Sequence, residues 1–268
     1  MTYDLRVLSL GAGVQSSALA LMIEHGDIPP VDAAIFADTQ AEPQEVYDWL
    51  DWLDQKTSYP IYRVTAGNLE TDSLRVMMSK EGVQYWKAGL PTFMLKEGLG
   101  GSGMNMRKCT TDYKIVPIKR KIRTLLGRDW RKKNVLQYIG ISTDEASRMK
   151  PSQVRYITHV WPLIENNLSR SDCIKWMLER GYDKPPRSAC YFCPYHSNAE
   201  WQRIKTHLPE YWQRAIEYEE KMQAAASQAS EAYATPYLHP SCRPLAEAPL
   251  DDGQLHLFNA ECEGMCGV

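Results

Sequence analysis

The sequence predicts an α/β fold with an open, mostly parallel sheet and helices on both faces, and three observations predict it. Short β-prone runs recur at residues 4–10 (DLRVLSL), 31–37 (VDAAIFA) and 61–64. Segments of helical composition separate them, at 16–25 and 44–56. The first strand also hands over to its helix through Gly11-Ala12-Gly13, a tight turn of the kind that joins β to α in such sheets. Strands alternating with helices imply right-handed crossovers and parallel pairing.

Each element has its own reason. The helix at 16–25 stops at Gly26. In the helix at 44–56, Val46, Trp49, Leu50 and Leu53 fall at i, i+3, i+4 and i+7 and so share one face. Residues 89–103 (GLPTFMLKEGLGGSG) are glycine-rich and read as a long mobile loop. Residues 135–141 (VLQYIGI) read as a buried strand. A helix over 169–180 opens with Ser169 and has Asp172 three residues on, a capping arrangement. Beyond Asn198 the chain reads as helical to about Ala226, with Pro209 starting a fresh helix because proline suits a first turn and breaks an interior. The expected division is a nucleotide-binding domain at 1–181, then 182–268 with a Cys-x-x-Cys segment, a helical region and an irregular cysteine-bearing tail.

Composition narrows the functional classes. With 44% hydrophobic and 24% charged residues, the chain is an ordinary folding sequence and not a disordered one. The formal net charge of −2 argues against a dedicated nucleic-acid binder, yet residues 107–133 hold eleven Lys/Arg against Asp112 and Asp129, a local balance of +9. That stretch reads either as a solvated helix face or as a surface for a polyanion. No apolar run reaches the length of a membrane span, and the start lacks a signal-peptide pattern, so a cytoplasmic setting without a membrane partner is expected. In a reducing compartment, clustered cysteines among the seven point to metal or redox chemistry.

The chemistry starts at Ser9-Leu10-Gly11-Ala12-Gly13-Val14-Gln15-Ser16-Ser17. A strand-to-helix turn there converges backbone N–H groups and a positive helix end on one spot, which favours an anion. A Walker loop is excluded, because no Gly-Lys-Ser/Thr follows at the required spacing. A dinucleotide fingerprint matches Gly11-x-Gly13 but has Ser16 where its third glycine belongs. The segment resembles the PP-loop pattern Ser-Gly-Gly-x-Asp-Ser-Ser/Thr, matching at Gly13, Ser16 and Ser17 and departing at Gly11, Ala12 and Gln15, where the family has an acid. A plain glycine-rich turn remains the competing reading of this loop alone.

Three further segments carry the same resemblance. Ala37-Asp38-Thr39 with Glu42 is similar to the Asp-Thr-Gly segment after the second strand of phosphoadenosine phosphosulfate reductases and PP-loop sulfurtransferases, with Gln40 in place of the glycine. Cys109-Thr110 with Lys114 and Pro117 resembles their Cys-Thr-x-x-x-Lys-x-x-Pro stretch, and Gly140-Ile141-Ser142 with Glu145 and Arg148 their Gly-x-x-x-x-Glu-x-x-Arg. The resemblance is to the PP-loop ATP-pyrophosphatase and phosphosulfate-reductase superfamily, the adenine nucleotide alpha hydrolase-like fold. It implies phosphates seated on residues 11–17, with Ser9, Asp38, Thr39 and Gly140 lining the nucleotide. It also implies that Lys114, Lys119 and Arg148 neutralise charge, with magnesium.

Cys190-Tyr191-Phe192-Cys193-Pro194 is a Cys-x-x-Cys that by itself serves structural zinc, a redox dithiol or an iron–sulfur cluster equally well. The resemblance implies a [4Fe–4S] cluster on Cys109, Cys190 and Cys193 with Cys266 as a fourth ligand, zinc being the alternative. Cys262 or Cys266 in the tail is otherwise a mobile attacking thiol. Cys173 reads as buried packing, and Cys242 has no partner at ligand spacing. The functional expectation is therefore an ATP-dependent transferase that adenylates an acceptor and passes sulfur to it, with tRNA or DNA along 107–133 and a sulfur or electron donor as partners, oligomerisation being allowed. The alternatives are thiol-dependent reduction of an adenylyl sulfate, and a non-catalytic zinc-stabilised nucleotide- or nucleic-acid-binding module.

Overall fold

The computed structural model describes residues 2–87, 89–96, 101–229 and 234–250. The chain opens with β1 (Leu5–Leu10), α1 (Val14–Glu24), β2 (Ala33–Asp38), α2 (Gln44–Asp54) and β3 (Ile61–Thr65). Next come α3 (Leu69–Ser73), β4 (Val76–Met78), β5 (Gln84–Trp86), β6 (Phe93–Lys96) and β7 (Gly101–Met104). A π-helical turn at Thr110–Ile115 leads into α4 (Val116–Leu126), then β8 (Val135–Ile139), β9 (Ile157–Val160), α5 (Pro162–Glu165) and α6 (Arg170–Glu179). The last elements are α7 (Asn198–His207), α8 (Pro209–Ser227) and β10 (Thr235–Tyr237).

Five strands form one parallel sheet in the order β3-β2-β1-β8-β9. Period-two alternation sends Leu8, Leu10, Ala34 and Phe36 to one face, where α1, the Val46, Trp49, Leu50 and Leu53 stripe of α2, and Cys173 and Met177 of α6 cover them. Val7, Ile35, Val135 and Ile157 face the other way, against Ile118, Ile122 and Leu126 of α4. The expected α/β class with helices on both faces is therefore present. Cys173 is fully buried and its thiol is pushed up to about 12 by that burial, as a packing residue requires. Ser169 and Asp172 form the reciprocal capping box at the start of α6.

The chain divides into two compact units that interleave in sequence, which differs from a single boundary near 181. The parallel sheet belongs to residues up to Ala66 together with Asp112–Ser188. The second unit takes Gly67–Thr111 and, among the described residues, those from Ala189 to 250. It holds the antiparallel β10-β6-β7 sheet, the β4-β5 hairpin and the helices α7 and α8. The glycine-rich stretch expected to be a loop thus contributes strands, because Phe93 and Met94 find pairing partners in Tyr237 and Pro236, far away in sequence. Buried Glu219 of α8 accepts from the backbone N–H of Leu238 at 2.8 Å and of Leu245 at 2.6 Å, fixing the segment after β10. Among the described residues no helix is long and apolar enough to cross a membrane.

Candidate functional site

The chain leaves β1 toward β2 on one side and returns to β8 on the other, so strand order reverses between β1 and β8. Crevices at such reversals, beyond the carboxyl ends of the strands, are where open α/β sheets place ligands. The turn after β1 lies there, and every residue from 11 to 17 is buried. Ala12 holds φ at 59°, a left-handed conformation that suits the glycine of the PP-loop pattern. Ser16 Oγ clasps the turn, accepting from Gly11 N–H at 3.1 Å and donating to Gly13 C=O at 3.3 Å. The first helical bond of α1 runs from Ser17 N–H to Gly13 C=O at 2.9 Å, so the N–H groups of residues 13–16 precede it. No side chain caps this end, and its first turn carries no acid.

Two residues of the expected nucleotide site are turned elsewhere. Ser17 Oγ accepts from Trp49 Nε1 at 2.9 Å and is fully buried, so it joins α1 to α2 instead of facing a ligand. Ser9 Oγ accepts from Gln137 Nε2 at 2.6 Å inside the sheet. Gly140 also has a different purpose: a Cβ there would lie 2.9 Å from the backbone N and Cα of Ser16. Its missing side chain is what lets the end of β8 press onto the start of α1.

That close approach sets up a polar relay. Gln15 Nε2 donates to Glu145 Oε2 at 3.2 Å and lies 3.4 Å from Ser142 Oγ, linking the turns after β1 and β8. Glu145 in turn binds the guanidinium of Arg148, the expected anion ligand. Burial raises the Glu145 carboxyl above its usual range, although Arg148 pulls it down. Asp144 goes the other way: burial opposes ionisation, but the Arg170 N–H at 2.9 Å and the Ser142 hydroxyl outweigh it.

The turn after β2 contributes Asp38, whose Oδ1 accepts from Gln40 N–H at 2.7 Å and Tyr47 O–H at 2.8 Å. Burial and then the Asp38 charge raise the Tyr47 phenol, which therefore stays a donor. Gln40, standing where the family has glycine, adopts φ of 58°. Thr39 is fully buried, and Glu42 accepts from Ser188 Oγ at 2.8 Å. Lys114 is buried in the turn before α4. Lys119 on α4 has its ammonium lowered by burial and then by Arg123.

The second unit holds the Cys-x-x-Cys. Cys193 N–H bonds to Cys190 C=O at 2.9 Å in a tight turn, and His196 Nε2 lies 3.0 Å from the same carbonyl. The two intervening aromatics are fully buried, Phe192 stacking on Tyr218 with ring centroids 4.0 Å apart. Cys109 N–H bonds to Gly89 C=O at 2.9 Å. Among the described residues no three His, Cys, Asp or Glu side chains are gathered as a metal ion needs. Cys109, Cys190 and Cys193, expected to hold a cluster or zinc, all belong to the second unit. Cys262 and Cys266 lie outside the described residues.

The orienting roles of Tyr47, Trp49 and Gln137 leave no mark in the sequence, since spacing places Trp49 on the apolar stripe but says nothing of a bond to Ser17. His196 carried a signal, three residues beyond Cys193. No family model matches the chain, and no curated protein matches it. Among solved structures, the phosphoadenylyl-sulfate (PAPS) reductase from Candida auris, in a phosphate complex, is similar at 15% identity and a TM-score of 0.44. The similarity covers 69% of this chain and 76% of that one. A likeness this distant leaves the reading of the site to its geometry.

Proposed function

We propose that this chain is an ATP-using enzyme of the PP-loop kind that adenylates an acceptor and then passes sulfur to it. One observation carries the reading: α1 presents its N–H groups, with neither a capping side chain nor an acid, at the point where strand order reverses. A buried helix end of that kind favours phosphate oxygens through its N–H donors and its dipole. The relay through Gln15, Glu145 and Arg148 holds the turns after β1 and β8 together, and Gln40 N–H and Tyr47 O–H hold Asp38 in the turn after β2.

In this reaction an acceptor oxygen attacks the α-phosphorus of ATP, the bond to the bridging oxygen breaks, and pyrophosphate leaves with that electron pair. Lys114 and the α1 N-terminus neutralise the growing charge, with magnesium arriving on the nucleotide. A sulfur nucleophile then displaces AMP from the activated carbon. The test is ATP–pyrophosphate exchange combined with calorimetric titration of ATP. Saturable ATP binding that weakens at least tenfold in a Gly13→Asp variant, with exchange dependent on an acceptor, is the expected result. Absence of ATP binding by the wild-type chain sinks the reading.

A further inference from the structure

The basic stretch at 107–133 is divided between the two units. Arg107 and Lys108 belong to the second unit, whereas Asp112 onward belongs to the unit with the parallel sheet. Within that unit α4 runs about 16 Å antiparallel to the strands. It carries the charge away from Lys114, near the carboxyl edge, to the sheet's amino edge. There Trp130 packs against Tyr156, the residue just before β9, with ring centroids 5.0 Å apart.

This amino edge is built in a specific way. The guanidiniums of Arg123 and Arg131 both lie over the Trp130 indole, 4.6 and 4.5 Å from its centroid. Two like charges are thereby held within about 9 Å of each other, close to one Debye length at physiological ionic strength. Arg123 Nε also donates to Tyr156 Oη at 3.1 Å, which fixes its fork. Arg120, Arg123, Arg128, Arg131 and Lys132 are all exposed. Among the described residues the one carboxylate paired with them is Asp129, 4.0 Å from Lys132. Lys133 is accounted for locally, because its ammonium caps Leu126 C=O at 2.7 Å at the end of α4. The others exceed what a helix terminus uses.

We propose that this amino edge anchors a nucleic-acid strand, on the opposite side of the sheet from the phosphate-binding turn. Oriented guanidiniums without carboxylates match phosphate oxygens two at a time, and a bridging phosphodiester relieves the repulsion between Arg123 and Arg131. A membrane is disfavoured, since Ile118, Ile122 and Leu126 of α4 are buried and, among the described residues, no exposed large apolar side chain flanks the cations. Strands of five to six residues put the two edges roughly 17–20 Å apart. A mononucleotide cannot touch both; a polymer can, with one segment held at the amino edge and another delivered to the crevice. The proposal deepens the adenylation reading by naming the acceptor's class, while the anchoring itself does not require that reading.

The test is fluorescence anisotropy of a labelled oligonucleotide of roughly 20 nucleotides, single-stranded and duplex, across a salt series, alongside ATP titration. The Arg123→Gln/Arg131→Gln variant, and Arg128→Gln/Lys132→Gln which leaves the Trp130 packing intact, should each weaken binding about tenfold or more. Each should also reduce the salt slope by about 2, the loss of two phosphate contacts. ATP affinity should not change in either. Oligonucleotide binding that is absent, or unaltered in both variants, overturns the proposal. So does tighter binding to a polyglutamate peptide or to anionic vesicles than to the oligonucleotide. Loss of ATP binding alone, with the variant effects intact, would remove the adenylation reading and leave the anchor standing.

Discussion

A methyl group on residue 140 would collide with backbone and not with a side chain that can rotate away, since its nearest neighbours are the N and Cα of Ser16 at 2.9 Å. Gly140→Ala must therefore push β8 and α1 apart, at a cost of about 1–3 kcal/mol in urea unfolding, with a larger proportional loss in ATP affinity than in stability. Arg148 presents a different kind of dependence. It is bound to Glu145, both side chains being mostly buried, and Glu145 is also held by Gln15. Arg148→Ala leaves a carboxylate without its cation and should cost about 2 kcal/mol, most of it recovered in a Glu145→Gln background. If that double variant still lacks ATP binding while its stability is restored, Arg148 acts on the nucleotide directly. If binding returns, its work is to position Glu145.

At the level of elements, α1 and α2 are joined by the bond from Trp49 to Ser17 across their buried faces. Trp49→Phe deprives a fully buried hydroxyl of its donor and should destabilise by about 1–2 kcal/mol. Adding Ser17→Ala should cost less than the two single changes summed, which a double-mutant cycle reads directly. Elements whose signals are local were legible in sequence. The stripe of Val46, Trp49, Leu50 and Leu53, the Ser169 and Asp172 cap, and the restart at Pro209 all sit where their patterns place them. Elements defined by distant partners were not. Ile157–Val160 is four residues long with a histidine inside, and becomes a strand by pairing with β8. Phe93–Lys96 looks like part of a glycine-rich loop until Tyr237 pairs with it. The site followed the same rule: the turn after β1 was readable from its glycines and serines, but which serine faces inward depends on α2 and β8.

For the molecule as a whole, pH links stability to buried titratable groups. Burial raises the Glu219 carboxyl above its ordinary 4.5, despite the two N–H groups it accepts from. The folded state therefore keeps a proton that the unfolded chain has released. Its contribution is fully present below the ordinary carboxylate range and is lost as pH rises through the raised value. Urea midpoints of the wild-type chain should include a component that declines across that window, and the component should be absent in Glu219→Gln. His159 adds the mirror case, since burial and Lys119 lower its imidazole and keep it neutral; acidification must charge it against that burial. Its penalty grows as pH falls, so its pH dependence is opposite in sign to that of Glu219.

The central position of β1 has a consequence for biosynthesis. Its register partners on one side start at Ala33, but those on the other start at Val135. At a translation rate of about 5–20 residues per second, the ribosome needs roughly 6–25 s between finishing β1 and delivering β8. For that interval a leucine-rich strand has one backbone edge bare, a template for wrong pairing with neighbouring nascent chains. Slowing elongation between residues 10 and 135 should thus lower the soluble yield, and a holdase chaperone should restore it.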